Sequence, residues 1–183
     1  IITSSTGPLA GYGAEYLQGF KAGLDYATDG TGTVDGRAID ITYVDDAGDS
    51  DKAVSAAKEA IGNGTQIIAG TVSSGIALAV AEQAAQNKIL YISGPAAADA
   101  ITGVNEYTFR SGRQTMQDVA TAGTFVGDLK GKNVLVFAQD TAFGQGNAAG
   151  VTAVLGAKGA TVTGELVPED ATVTARRQRR AAD

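Results

Sequence analysis

A chain of 183 residues, 44% hydrophobic and 19% charged with 25 glycines, carries enough apolar material for one good core or two small ones and too much for a disordered chain. Its net charge of -6 argues against nucleic acid as a partner, because phosphate neutralisation needs a basic surface, and no apolar run approaches the roughly 18 residues that span a membrane. Histidine and cysteine are both absent, which removes the commonest general base, any His-dependent triad, thiol nucleophiles, disulfides and zinc–thiolate sites.

Ile1 reads as the inside of a first strand, so the natural N-terminus is expected upstream, a signal peptide having been removed. In "TGPLAGYG" (Thr6–Gly13), Pro8 and the glycines form a loop that leads into a helix. Along that helix Tyr12, Tyr16, Phe20 and Leu24 are spaced by four, and of the two readings for Tyr12, core or ligand-facing, the stripe favours core. Turn chemistry fills Thr28–Gly36, and Arg37–Val44 alternates Ile39, Ile41 and Tyr43 as a strand does. The next helix starts at Asp49 or Ser50 as N-cap and stops at Gly62 to Gly64. A strand at 67–69, a helix at 74–86 and a strand at 89–92 follow, then a loop around Pro95 and an extended piece at Tyr107–Arg110. Helix 114–128, strand 133–138, helix 144–157 and strand 161–166 complete the regular part.

Repeated β-α units of this length imply an α/β fold with parallel sheets flanked by helices. Residues 1–112 form one Rossmann-like lobe, and 113–183 hold a hinge-proximal helix and an incomplete second lobe whose first strand lies in "KNVLVFAQD". Four of the 14 basic residues fall within Arg176–Arg180, in a tail with almost no apolar stripe. Such a tail reads as a solvated helix end, a truncation point, a join across missing residues or a basic partner-binding arm.

Three motifs invite chemistry. "GTVSSG" (Gly70–Gly75) sets Ser73 and Ser74 between a strand and a helix. The order does not match the G-x-S-x-G elbow, and no base is at hand, so a nucleophile is disfavoured. The serines read instead as the cap of helix 74–86, or as a cap whose free amides also hold an anion. Their place at the carboxyl end of a parallel strand favours the ligand role. The Gly144-x-Gly146-x-x-Ala149 run is a loose dinucleotide fingerprint whose first glycine comes too late for the tight turn, so no nucleotide is expected and Phe143 faces a cleft or the core. "DDAGDSD" (Asp45–Asp51) lacks calcium-loop spacing and reads as a capped helix start with solvated carboxylates. No cofactor and no metal is expected.

The segments "TGPLAGYGAEYLQGFKAGLDYA", "ITYVDDAGDSDKAVSAAKEAI", "IIAGTVSSGIALAVAEQAAQNKILYISGPAAADAITG" and "VLVFAQDTAFGQGNAAGV", in this order over about residues 1–170, resemble the branched-chain amino-acid-binding proteins of the Leu/Ile/Val-binding type, type I periplasmic binding proteins that serve ABC transporters. The resemblance implies a non-enzymatic, periplasmic or extracellular solute-binding protein, lipid-anchored through its N-terminus in one form of the arrangement. It would hold a small amino acid or related carboxylate between two lobes and hand it to an ABC permease. A ligand-sensing domain of a receptor or amide-responsive regulator has the same fold and is the alternative. By register, Val72, Ser73 and Ser74 match the loop that binds the ligand carboxylate, with Ser74 the hydroxyl donor. Ser93, Pro95, Ala96 and Ala97 match a second contact loop, Tyr12 a first-lobe aromatic over the ligand, and Phe143 a second-lobe aromatic. Two departures bear on specificity. Pro95-Ala96-Ala97-Ala98 stands where a threonine is usual, so that hydroxyl is absent unless Ser93 replaces it. The acidic partner of an ammonium falls beyond Asp183. Carboxylate recognition is therefore expected, amino-group recognition is not established, and an aromatic or aliphatic acid stays open. With the second lobe half built, apolar sheet edges and helix faces should be exposed, and this chain alone should not form a closed cleft.

Overall fold

The structure, a computed structural model, describes residues 1–168; the Arg176–Arg180 cluster lies outside them. The chain divides into two compact units, Ile1–Gln114 and a second that begins at Thr115.

The first unit is a five-stranded, fully parallel sheet. Its strands are β1 (Ile2–Thr3), β4 (Val44–Asp45), β5 (Ile67–Gly70), β6 (Leu90–Ser93) and β7 (Thr108–Arg110), in the spatial order β4-β1-β5-β6-β7. Parallel neighbours need crossover connections, supplied by α1 (Ala10–Ala27), α2 (Ser50–Gly62) and α3 (Ser74–Asn87). The chain first steps from β1 to β4 on one side, then returns past β1 to β5 and continues outward. With right-handed crossovers, that reversal puts α1 on one face and α2 and α3 on the other. It also makes the carboxyl ends of β1 and β5 a topological switch point, where loops diverge and leave a crevice.

The core lies between the sheet and α2 and α3. Ala53 and Ala57 of α2 and Ala77, Ala81 and Ala84 of α3 are fully buried, and these short side chains let the two helices approach closely around Ile68 and Val80. Asp49 caps α2 as expected, its carboxylate accepting from Lys52 N at 2.9 Å.

Two expectations are corrected. The segment Arg37–Val44 is not one strand. Arg37–Ala38 (β3) pairs antiparallel with Thr33–Val34 (β2) in a hairpin, and only Val44–Asp45 reaches the sheet. Asp35 and Gly36 make the two-residue turn, both with positive φ (48° and 75°), the geometry that suits the twist of a hairpin. Tyr12 is not core: it is 61% exposed, while Tyr16, Phe20 and Leu24 are half-buried. The cause is position along the helix. Tyr16 lies over Gly94, just past the end of β6, where an added Cβ would come within 2.6 Å of the ring. One turn earlier, about 5.4 Å further along, Tyr12 has run past the strand ends.

In the second unit, β8 (Asn133–Gln139) and β9 (Thr161–Val167) pair in parallel over seven residues, joined by α5 (Ala142–Ala157). The helix α4 (Thr115–Phe125) packs on α5, with Gly123 under Val154 and Gly150 under Val119. Among the described residues these two strands pair only with each other. One face of β8 is open, with Leu135 at 52% and Phe137 at 45% exposure.

Candidate functional site

The carboxyl edge of the first sheet gathers the loops after β1, β4, β5 and β6, and it is lined beneath by buried polar groups: Ser4, Asp46, Thr71, Ser74 and Ser93. Buried polar groups must be hydrogen-bonded or carry a cost, so each bond is informative.

The loop after β1 is clamped by Asp45, the last residue of β4, and by Asp46 just after it. Asp45 accepts from Ser5 N (2.7 Å), Thr6 N (3.2 Å), Ala47 N (2.9 Å) and the Thr6 hydroxyl (2.6 Å). Those donors, the Thr6 hydroxyl foremost, stabilise the carboxylate and hold its pKa down at about 2. Asp46 is fully buried and accepts from the Ser4 hydroxyl (2.6 Å) and Gly48 N (2.8 Å). It is therefore not one of the solvated carboxylates expected for this segment.

Below the loop after β5, the Tyr91 phenol donates to Gly70 O (3.0 Å) and lies 3.2 Å from the Thr71 hydroxyl. Burial raises its pKa, with the Thr71 and Ser93 hydroxyls opposing the rise. Tyr16 is likewise pushed up to about 12, chiefly by burial and then by Tyr91. Both phenols stay neutral across the physiological range and serve as struts.

The helix α3 begins as expected, but its cap differs. Ser73 occupies the N-cap position with extended backbone (φ −69°, ψ 132°), yet its side chain makes no cap bond. Ser74, inside the first turn and 3% exposed, accepts from Ala98 N at 3.2 Å and keeps its own hydroxyl hydrogen to donate. The first amides of an α-helix have no intrahelical acceptor, and here the cap serine does not serve them. What results is a short row of N–H groups at the positive end of a 14-residue helix, beside a buried hydroxyl.

The structure brings together two of the segments singled out from sequence. Val72–Ser74 and Ser93–Ala98 meet through the Ser74–Ala98 bond and through Gly94 N donating to Gly70 O at 2.6 Å. Val72, Ser73 and Pro95 are half-buried, whereas Ala96, Ala97 and Ser93 are buried. The Ser93 hydroxyl forms no geometrically sound hydrogen bond among the described residues, though it lies close enough to act on the Tyr91 phenol. Tyr12 extends from the first turn of α1 into solvent. Phe143 belongs to the second unit, in the first turn of α5, and is 39% exposed. Gly144 beside it takes part in packing: an added Cβ would collide with Gln139 O, so the glycine lets α5 approach the end of β8. Among the described residues no group of three or more acidic side chains could hold a metal, and no helix is long and apolar enough to cross a membrane.

Sequence reasoning missed the aspartate clamp and Arg110. The guanidinium of Arg110 reaches back from β7 to the carbonyls of Ala96 (2.8 Å) and Ala98 (3.3 Å). An arginine closing a strand beside a polar loop was the available signal.

The sequence profile of a family described as periplasmic binding protein matches residues 1–177. A Leu/Ile/Val-binding protein of Rhizobium johnstonii is 30% identical over 174 residues, which are 93% of this chain and 47% of that protein. Among solved structures, an ABC-type branched-chain amino acid transporter from Rhodopseudomonas palustris is 40% identical with a TM-score of 0.73, covering 97% of this chain and 49% of the other. The solute-binding protein of an ABC transporter from Rhodopseudomonas palustris, solved with 3,4-dihydroxybenzoic acid, is 27% identical with a TM-score of 0.83, covering 99% and 50%. The chain thus spans about half the length of these relatives.

Proposed function

The chain belongs to the periplasmic binding protein family, and on that premise we propose that it serves as the solute receptor of an ABC importer, outside the cytoplasm, taking a small carboxylate at the N-terminus of α3. The observation that carries this is the cap of α3: Ser73 stands in N-cap geometry but leaves the first-turn amides unserved, while Ser74 is buried with its hydrogen to give. A carboxylate there would accept from those amides and from the Ser74 hydroxyl. Each such bond to a charged acceptor contributes about 1.5–3 kcal/mol, and the helix dipole adds up to ~1 kcal/mol. The site lies at the switch point of the sheet, and the function asks for no general base, in keeping with a chain free of histidine.

Two classes of carboxylate compete. Relatives are named for leucine, isoleucine and valine, and one was solved with a dihydroxybenzoic acid. The run Pro95-Ala96-Ala97-Ala98 offers no hydroxyl to an ammonium, and Ser93 is buried beneath the loop. Those two features favour an acid without an amine. Calorimetry on the full-length natural chain with L-leucine, L-isoleucine, L-valine, benzoate and 3,4-dihydroxybenzoate tests the proposal. Heat from the benzoates alone supports the amine-free class; heat from the amino acids alone reverses it. Silence across the panel sinks the carboxylate function.

A further inference from the structure

We propose that Arg110 is a positioning residue for the carboxylate cradle, setting the Ala96–Ala98 loop against Ser74; the inference rests on the function proposed above. Arg110 ends β7, where its backbone is held in register opposite Ser93 of β6. Its guanidinium serves four acceptors through two nitrogens. Nη2 donates to Ala96 O (2.8 Å) and Ala98 O (3.3 Å). Nη1 donates to the Thr102 hydroxyl (2.9 Å) and to Gln114 Oε1 (3.3 Å), and Thr102 donates in turn to Gln114 at 2.8 Å.

The consequence centres on Ala98. Its carbonyl accepts from Arg110 and from Ile101 N (3.2 Å) and its amide donates to Ser74, so one residue links the strand-anchored guanidinium to the hydroxyl of the cradle. The loop itself, Pro95-Ala96-Ala97-Ala98, has no polar side chain with which to fix its own height. Without Arg110 the carbonyls of Ala96 and Ala98 would lose their charged donor in a partly desolvated setting, and the Ala98 amide would drift from Ser74. The Ser74 hydroxyl would then no longer be held at one orientation for a ligand. A planar fork is suited to this duty because its two terminal nitrogens reach two separate pairs of acceptors at once, whereas the three donors of an ammonium leave from a single atom. Nε is buried without an acceptor among the described residues, and the bonds of the guanidinium given above run through its two terminal nitrogens.

The test uses the full-length natural chain with Arg110→Lys, and with Thr102→Val as a milder second variant that leaves the arginine in place. Amide exchange without ligand is followed on peptides covering 94–101 and 76–87. Exchange of 94–101 faster by about tenfold or more in Arg110→Lys, with a smaller rise in Thr102→Val and 76–87 unchanged, supports the role. Unchanged exchange at 94–101 in both variants overturns it. If 76–87 loosens as well in Arg110→Lys, the result for Thr102→Val decides. A double-mutant cycle with Ser74→Ala, read as affinity for whichever of leucine or 3,4-dihydroxybenzoate binds, separates positioning from general stability. Losses that fail to add show that Arg110 acts through Ser74, and additive losses refute that route. Should the unaltered protein bind neither probe, the carboxylate function fails and the exchange result alone decides Arg110.

Discussion

Replacing Gly13 with alanine sets two effects of opposite sign against each other. Within a helix, alanine is better than glycine by about 1 kcal/mol, because glycine loses more backbone freedom on folding. At Gly13 a Cβ has no room. It would overlap Ser4 O and stand 2.8 Å from Ser4 C and 3.4 Å from Thr3 Oγ1. The obstacle is the backbone just past β1, fixed through Asp46 N to Thr3 O and through the aspartate clamp, so α1 rather than the loop must move. Overpacking of this kind costs about 1–3 kcal/mol and exceeds the propensity gain. Gly19, on the same helix, is the internal control, since nothing lies within 4 Å of its added Cβ. Gly19→Ala should therefore raise stability by up to ~1 kcal/mol, and Gly13→Ala should lower it by up to ~2 kcal/mol, the overpacking cost less the propensity gain. Urea unfolding of both variants, compared at equal denaturant slope, measures the gap. A displaced α1 would also lift Tyr16 from Gly94, so the tyrosine environment seen by near-ultraviolet circular dichroism should change in Gly13→Ala alone. If the two alanine variants agree within about 0.5 kcal/mol, the close approach of α1 to β1 is not what demands glycine.

The remaining predictions concern the cradle and its clamp. Ser74→Ala strips the acceptor from the buried Ala98 amide; stability should fall by about 1–3 kcal/mol and carboxylate affinity at least tenfold, checked by thermal melts and calorimetry. In Ser73→Asp a carboxylate at the N-cap should take the first-turn amides, raising the melting temperature while repelling an anionic ligand. Equal affinity in Ser73→Asp and the unaltered protein would remove α3 from the binding site. Asp45 has a folded pKa depressed to about 2, so its stabilising effect is complete above the unfolded carboxyl value of roughly 3.9 and is lost as pH falls through about 2; the stability difference from Asp45→Asn should shrink across that window. Tyr16, raised to about 12, behaves in the reverse sense: its contribution holds below the ordinary phenol value of about 10 and fades as pH climbs towards 12, which ultraviolet phenolate absorbance can follow.

Local chemistry made much of the fold legible. Asp49 three residues before Lys52 is a cap readable from neighbours, and the strand–turn–helix at Ile67–Asn87 follows from an apolar run and a serine pair. The stretch Arg37–Val44 misled because alternation is blind to partners. Ile39, Ile41 and Tyr43 look like one strand face, but the Asp35-Gly36 turn draws Arg37–Ala38 into a hairpin, and Val44–Asp45 pairs with residues 42 positions earlier. Distance in sequence also hid the supports of the site. Asp46 meets Ser4 across 42 residues, and Arg110 reaches the carbonyl of Ala96 across 14. Main-chain carbonyls are the same for every residue type, so nothing in the sequence marks which of them an arginine will hold.

The serine pair shows how a local rule gives way to a site. Among the described residues, α2, α3 and α5 each start at a cap residue whose side chain can accept. Asp49 uses its carboxylate on α2, and Thr141 accepts from Gly144 N at 3.1 Å on α5. Only Ser73 on α3 leaves the bond unmade, forgoing about 1 kcal/mol. That omission falls at the switch point of the sheet, where Ser74 is turned inward to Ala98 and Arg110 fixes Ala98 from behind. Under the proposed function, a hydroxyl on the N2 or N3 amide would occupy a donor that the carboxylate would use. The helix α1, with Leu9 at its N-cap position, also lacks a side-chain cap, but at α3 a residue able to cap leaves the bond unmade beside the buried Ser74 hydroxyl, and under the proposed function those amides stay available to a carboxylate.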